Sequence, residues 1–373
     1  MTVPFLDLKA ATAELSEPIH AAVRRVVDSG WYILGPEVEA FEAEFAAYCG
    51  AEHCVGVANG LDALKLSLLV FGVRPGDEVI VPSNTFIATN LAVSQIGAIP
   101  IPVEPDEATC NIDPARIEAK ISPRTKAILP VHLYGLPADL DSVHEVAARH
   151  GIPVIEDAAQ AHGARYKGKR IGAHSRAVAW SFYPGKNLGG LGDAGAITTS
   201  DKEVADRLRM LRNYGSSVKY RNDLVGYNSR LDPIQAAVLR VKLDHLEEWN
   251  GRRQAIAASY RARLAGSGLT LPAETNWGES SWHLFVVRHA QRDWLVRALA
   301  ERGVEALIHY PVPPHKQQAY AGEAWTFEEQ PIASRMADEV LSLPIGPQLS
   351  AAQAESVIEA VNAALAEDPA QRR

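Results

Sequence analysis

Ile19, Val23 and Val27 recur every four residues, and Val38, Phe41 and Phe45 repeat at nearly the same interval. The two stripes predict helices on either side of a glycine turn at Gly30, within residues 4–48. Beyond them the apolar positions gather into short runs at 79–81, 99–103, 127–129, 154–155, 177–179 and 196–198, with helical patterns between several of them. Runs of that length are strands. Their alternation with helices predicts an α/β fold whose mostly parallel sheet is covered on both faces. Such sheets bind ligands at the carboxyl ends of their strands, where Asp157 and Ser181 both fall.

Asp232 marks the start of a further helix, because Asp232 can cap, Pro233 suits the first turn and Gln235 completes a capping box. Ile234, Ala237, Val238 and Val241 form its inner stripe. This helix is expected to run toward Trp249 and to link a large domain, residues 1–245, to a smaller one, residues 246–373. In the smaller part, 282–287 reads as a strand, with 293–302 and 351–366 as helices, which predicts an α+β domain. The polar tail 368–373 is expected to fray. No internal repeat or low-complexity tract is visible.

The 373 residues suffice for two domains and a core that needs no staples. A hydrophobic fraction of 47% with 22% charged residues is that of an ordinary soluble protein, and a formal charge of -8 argues against nucleic acid as a partner. Cys49, Cys54 and Cys110 show no metal-ligand spacing and cannot all pair, so a reducing compartment is expected. With no basic segment followed by an apolar run at the start, and no stretch long enough to cross a bilayer, the expected location is the cytoplasm.

The chemistry concentrates in 180–196, Trp-Ser-Phe-Tyr-Pro-Gly-Lys-Asn-Leu-Gly-Gly-Leu-Gly-Asp-Ala-Gly-Ala, where Lys186 stands among small residues that let a flat ligand approach. A lysine acts as a nucleophile only with a lowered pKa and an electrophile such as an aldehyde. Upstream, the segment Pro-Val-Ile-Glu-Asp-Ala-Ala-Gln-Ala-His-Gly (153–163) places Asp157 at a strand end and Gln160 three residues on. A carboxylate there suits the protonated ring nitrogen of pyridoxal phosphate, whose electron withdrawal makes it an electron sink, and Gln160 could reach the ring hydroxyl. Earlier still, Val-Ala-Asn-Gly-Leu-Asp-Ala-Leu (57–64) runs from a strand through Asn59, Gly60 and Leu61 into a helix, a start that suits phosphate. Ser181, five residues before Lys186, can offer its hydroxyl to that phosphate, and Phe86, which the residues alone favour as a core phenylalanine, is the candidate to stack on the pyridine ring.

These motifs, in that order and spacing, resemble the DegT/DnrJ/EryC1/StrS aminotransferases that build amino sugars on nucleotide carriers. The likeness begins at Pro-Phe-Leu-Asp-Leu (4–8) and Gly-Trp-Tyr-Ile-Leu-Gly-Pro (30–36). It continues through Gly-Tyr-Asn-Ser-Arg-Leu-Asp (226–232) to His-Tyr-Pro (309–311), so it covers essentially the whole chain. It implies a type I pyridoxal-phosphate aminotransferase fold, with Lys186 holding the cofactor aldehyde, Asp157 on the ring nitrogen, and a homodimer. It also implies that Asn228 is offered across the dimer to the phosphate of the other subunit. Many relatives carry Ser-Gly-Thr where this chain has Asn59-Gly60-Leu61, so a threonine hydroxyl is missing and backbone amides with the Asn59 side chain remain. That variant, with Gly-Ser-Ser-Val-Lys-Tyr at 215–220, is more like the branch that aminates C3 of a keto sugar.

The resemblance implies two half-reactions, from L-glutamate to the cofactor and then to C3 of a dTDP-linked 3-keto-6-deoxy sugar. His309 and Tyr310 are expected to border the sugar pocket, with Tyr183 facing it. Lys219, Tyr220 and Arg221 are candidates for the substrate diphosphate. No metal is expected, because His162, His174, His309 and His315 lack partners at ligand spacing. The rivals are amination at C4, dehydration as in relatives with histidine at the lysine position, and a regulatory binding protein that keeps the fold without turnover.

Overall fold

A computed structural model describes residues 2–368. Seven strands build the central sheet: β1 (His53–Val57), β2 (Glu78–Pro82), β3 (Ile99–Val103), β4 (Thr125–Ile128), β5 (Ile155–Asp157), β6 (Ala177–Ser181) and β7 (Gly195–Thr199). They pair in the orders β3-β2-β4 and β1-β7-β6-β5. Parallel bridges from Ile128 to Val154 and from Val131 to Asp157 join the two groups into one surface. Every ladder is parallel except those of β7, which runs antiparallel to both β6 and β1. The reversed strand follows from a short connection, since the lysine loop returns directly from the end of β6 without a crossover helix.

The apolar runs of β2, β4, β5 and β6 pack against the helix Gly60–Val70 on one face; on the other, Phe41 and Phe45 meet Val178 and Trp180 of β6, while Val143, Val146 and Ala147 cover Ile80 of β2 and Ile128 of β4. Phe45 meets Trp180 and Phe182 edge-on at centroid separations of 5.2 Å. Each such pair contributes about 0.5–1.5 kcal/mol beyond its buried area. The end of β1 is tied down by a buried ion pair: Glu42 accepts from the Gly56 N–H at 2.7 Å, and Arg212, bonded to Glu42, donates to the Gly56 carbonyl at 2.6 Å. This fixes where β1 hands over to the Asn59 turn.

Several expectations change in detail. The first fifty residues hold three helices, Leu8–Glu14, Ser16–Ser29 and Pro36–Cys49, and Gly30 closes the second in the left-handed region. The second helix buries Ile19, Ala22 and Val26 while Val27 is 51% exposed, because a 3.6-residue period drifts away from a strict four-residue repeat. The helix Pro233–Leu243 begins after Asp232 as predicted, but no capping box forms. Instead Gln235 turns toward the lysine loop, its Oε1 accepting from the Leu191 N–H at 2.7 Å.

A separate helix, Leu246–Leu264, leads on to the C-terminal elements. There β8 (Phe285–Arg288) pairs antiparallel with β9 (Val340–Leu343), covered by the helices Arg292–Glu301 and Ala351–Leu365. β8 starts later than predicted, since Trp282 has a φ of 48° and cannot lie in a strand. Val3 pairs with Val304 and is buried among Tyr260, Phe285 and Leu341. In the tail, Asp368 is buried beside His289 rather than frayed, and 369–373 lie outside the described residues.

Candidate active site

Lys186 is half-buried at the strand ends of the sheet, in the loop between β6 and β7. The glycines around it do not use left-handed backbone; they provide closeness. A Cβ on Gly189 would stand 2.4 Å from the Pro184 carbonyl, and one on Gly195 would stand 2.4 Å from the Asn59 carbonyl carbon. The loop is thereby pressed against the Asn59 turn. Burial draws the Lys186 ammonium down to about 8, with Asp157 pulling the other way. The free amine is the nucleophile. Capture of pyridoxal phosphate by the cofactor-free protein is therefore expected to accelerate with pH and level off above about 8, as followed by stopped-flow absorbance. An ordinary lysine would keep gaining toward about 10.4.

Asp157 ends β5 and is 5% exposed. Its Oδ1 accepts from the Ala159 N–H at 3.1 Å, and its Oδ2 accepts from the Thr89 hydroxyl at 3.0 Å. Burial raises the Asp157 pKa, while those two donors and the Lys186 charge hold it back. A buried carboxylate in that state gains from a cation placed against it. Thr89 was not singled out in the sequence. The available signal was its spacing, one helical turn beyond Phe86.

Phe86 is 49% exposed, which excludes its reading as a core residue. Its ring lies 5.2 Å from that of Tyr310. The Tyr310 hydroxyl accepts from Gln160 Nε2 at 2.9 Å, and Gln160 Oε1 accepts from the Tyr134 N–H at 2.6 Å. Both ends of the Gln160 amide are thus engaged within the chain, so a further hydroxyl would have to share the Nε2 donor. Tyr134, in the left-handed region at φ 61°, also donates its hydroxyl to the His309 carbonyl at 2.5 Å. His309 bonds through Nδ1 to the Ser342 hydroxyl at 2.8 Å; burial and then the Lys186 charge bring its pKa down to about 4.

The Asn59 turn lies against Ser181, and a Cβ on Gly60 would come within 2.6 Å of the Ser181 Cβ. Asn59 caps the helix Gly60–Val70, its Oδ1 accepting from the Asp62 N–H at 2.8 Å. The side-chain oxygen is thereby committed to the cap. First-turn N–H groups at Gly60 and Leu61 have no acceptor within the helix and point out of its start, which makes them anion donors. Asp62 would oppose an anion, but Lys65 pairs with it at 2.6 Å and the Ser229 hydroxyl donates to it at 2.7 Å.

The structure brings Lys186, Asp157, Gln160, Phe86, His309 and Tyr310 into one neighbourhood, with Gly60 and Ser181 in contact at the strand ends. Tyr183 is 59% exposed beside them in sequence. Lys219, Tyr220 and Arg221 sit apart on the hairpin Ser216–Val218 and Arg221–Asn222. Tyr220 is 89% exposed, Lys219 lies over its ring, and Arg221 pairs with Asp223 at 3.0 Å. Asn228 is exposed, although its neighbour Ser229 is buried against its own chain's Asp62. Among the described residues no group of three or more histidine, cysteine or acidic side chains could hold a metal.

Residues 13–362 match the DegT/DnrJ/EryC1/StrS aminotransferase family. The chain belongs to that family. It is 59% identical over 360 residues to the dTDP-3-amino-3,4,6-trideoxy-alpha-D-glucose transaminase of Streptomyces venezuelae, covering 96% of this chain and 95% of the relative. It is 58% identical over 364 residues to the erythromycin biosynthesis sensory transduction protein EryC1 of Saccharopolyspora erythraea, covering 97% and 100%. A crystal structure of S. venezuelae DesV in complex with a ketimine intermediate superposes with a TM-score of 0.96 at 58% identity, covering 98% of each chain. The α/β architecture is the type I pyridoxal-phosphate fold, and pyridoxal 5'-phosphate is the cofactor of this aminotransferase. The residues present fit it, with a buried carboxylate, an open aromatic face, a helix start kept clear by Gly60, and an amine of lowered pKa.

Proposed function

We propose that this aminotransferase moves the amino group of L-glutamate onto C3 of a dTDP-linked 3-keto-6-deoxy sugar. The observation that carries the reading is the 59% identity over 360 residues to the Streptomyces venezuelae transaminase, in a chain whose loop lysine, Lys186, is drawn by burial to a pKa of about 8. When bound, pyridoxal phosphate supplies the electron sink for the exchange. Lys186 would hold the cofactor aldehyde through Nζ, and its free amine would carry a proton to and from the substrate carbon. Asp157, oriented by Thr89 and Ala159, would meet the ring nitrogen, Phe86 would stack on the ring, and Gln160 would share its Nε2 with the ring hydroxyl. The amides of Asn59, Gly60 and Leu61 and the Ser181 hydroxyl hold the phosphate. Tyr183, His309 and Tyr310 border the sugar, and Lys219, Tyr220 and Arg221 meet the diphosphate. The break between large and small domains falls near Leu246, and the protein works in the cytoplasm; no helix among the described residues is long and apolar enough to cross a membrane.

The substrate follows the Streptomyces venezuelae relative and a transaminase of Aneurinibacillus thermoaerophilus named for dTDP-3-amino-3,6-dideoxy-alpha-D-galactopyranose, 53% identical over 360 residues. Some relatives carry regulatory names, among them a pleiotropic regulatory protein of Geobacillus stearothermophilus at 43% identity. A binder has no need of a lysine amine drawn toward neutrality, which favours turnover here. The yellow holoenzyme is expected to bleach on adding L-glutamate and to regain colour with a dTDP-linked 3-keto sugar. NMR of the product then reads where nitrogen has entered. Absence of bleaching would exclude an aminotransferase using glutamate, and nitrogen at C4 would replace the C3 assignment.

The reading includes a homodimer with shared sites, in which the exposed Asn228 reaches the phosphate of the other subunit. Asn228→Asp sets a carboxylate against that phosphate and is expected to empty both sites of a homodimer. Mixing it with Lys186→Ala under subunit exchange combines both lesions in one site and leaves the other intact, so activity should partly return. If Asn228 served its own chain, as Ser229 does, every mixed site would carry one lesion and no activity would return.

A further inference from the structure

The turn that opens the helix Ile87–Ser94 faces two ways. Phe86, its capping residue, is half exposed, whereas Thr85 before it and Thr89 in the first turn are 2% and 1% exposed. The two threonine hydroxyls stand 2.9 Å apart, and Thr89 Oγ1 lies 3.0 Å from Asp157 Oδ2. The segment entering the turn is pinned on both sides. Ser83 Oγ donates to Glu104 Oε2 at 3.0 Å, and Asn84 Nδ2 donates to the Cys110 carbonyl at 2.8 Å.

Hydrogen counting fixes the direction of the chain of hydroxyls. An ionised carboxylate only accepts, so Thr89 gives its single hydroxyl hydrogen to Asp157, and its oxygen can then only accept from Thr85. The order from Thr85 to Thr89 to Asp157 is one-way. With both hydroxyls shut off from water, each donor polarises the next and strengthens its bond by about 10–30%. Burial favours the neutral form of Asp157, and hydrogen bonds to the charged form oppose that. The other groups acting on this carboxyl are the Ala159 N–H, Lys186, His132 and Tyr310; among the described residues none of them bonds to either threonine.

We propose that Thr85 is a positioning residue that acts on the cofactor site through Thr89: the relay delivers a hydrogen bond to Asp157 Oδ2, keeps that carboxylate ionised, and so leaves the proton it meets on the ring nitrogen. One turn of helix then serves the ring twice, through the Phe86 face and through the two hydroxyls behind it. The inference rests on the reading of Asp157 as the partner of that nitrogen.

The test replaces each threonine by valine, which keeps the shape without the hydroxyl, singly and together. Carbon NMR follows the Asp157 carboxyl of the cofactor-free chain through a pH titration. Thr89→Val is expected to raise the midpoint by about one pH unit, and Thr85→Val by about 0.3 unit in the same direction. With Thr89→Val already present, Thr85→Val should do nothing. Equal shifts in both backgrounds, or no shift from Thr85→Val alone, overturn the relay. Thr85→Ser keeps the hydroxyl and should hold the wild-type midpoint; a midpoint like that of Thr85→Val overturns the relay equally. In the holoenzyme with ring-labelled cofactor, nitrogen NMR should show the ring nitrogen moving toward its unprotonated position, further in Thr89→Val than in Thr85→Val, and an unmoved signal in Thr89→Val overturns the proposal. Failure of the underlying reading looks different, because the ring nitrogen would then ignore Asp157→Asn as well.

Discussion

Lys186→Ala is expected to lose turnover by about 10⁴-fold or more, since one group serves as covalent anchor and as proton carrier, and a positioned base alone contributes about 10²–10⁴-fold. The measurement is 2-oxoglutarate formation from L-glutamate, and a small added amine should restore part of the rate. The fold should not suffer. In the folded protein Lys186 binds its proton more weakly than in the unfolded chain, so its protonation costs stability; that cost is full below about pH 8 and fades as the pH rises toward the ordinary lysine value. Removing the side chain removes the cost. A thermal midpoint at neutral pH equal to or above that of the wild type, with activity gone, is the expected pairing, and near-normal turnover would remove Lys186 from the mechanism.

Asp157→Asn is expected to slow both half-reactions by roughly 10²-fold or more. The replacement keeps size and hydrogen bonding, because the amide oxygen can still accept from the Ala159 N–H while the amide nitrogen meets the Thr89 hydroxyl, which can also accept. The difference left is charge. Without it, a cationic ring nitrogen loses the partner that offsets its burial, and the carbanion at the substrate carbon is less well stabilised. Single-turnover rates with L-glutamate separate this from weaker binding. An unchanged rate would assign the ring nitrogen to another residue.

The strands and the order of the motifs were legible in the sequence because each is a local property. Runs such as 79–81 and 177–179 are apolar throughout, and a strand buried on both faces needs no other signal. The Asn59 turn and its helix were legible for the same reason, since Asn59, Gly60 and the helix behind them are neighbours in the chain. What tertiary structure alone decided is where long-range partners fall. Gln235 has capping-box spacing, yet it serves Leu191, forty-four residues away, because the fold brings the lysine loop's Leu191 N–H within reach of its side chain while the helix start can be capped by water. Phe86 and a core phenylalanine look alike in sequence, and only the packing of the sheet left Phe86 with an open face. Thr89 carries no motif chemistry of its own. Its role arises from a hydrogen bond to Asp157 across sixty-eight residues, and periodicity does not encode contacts at that separation.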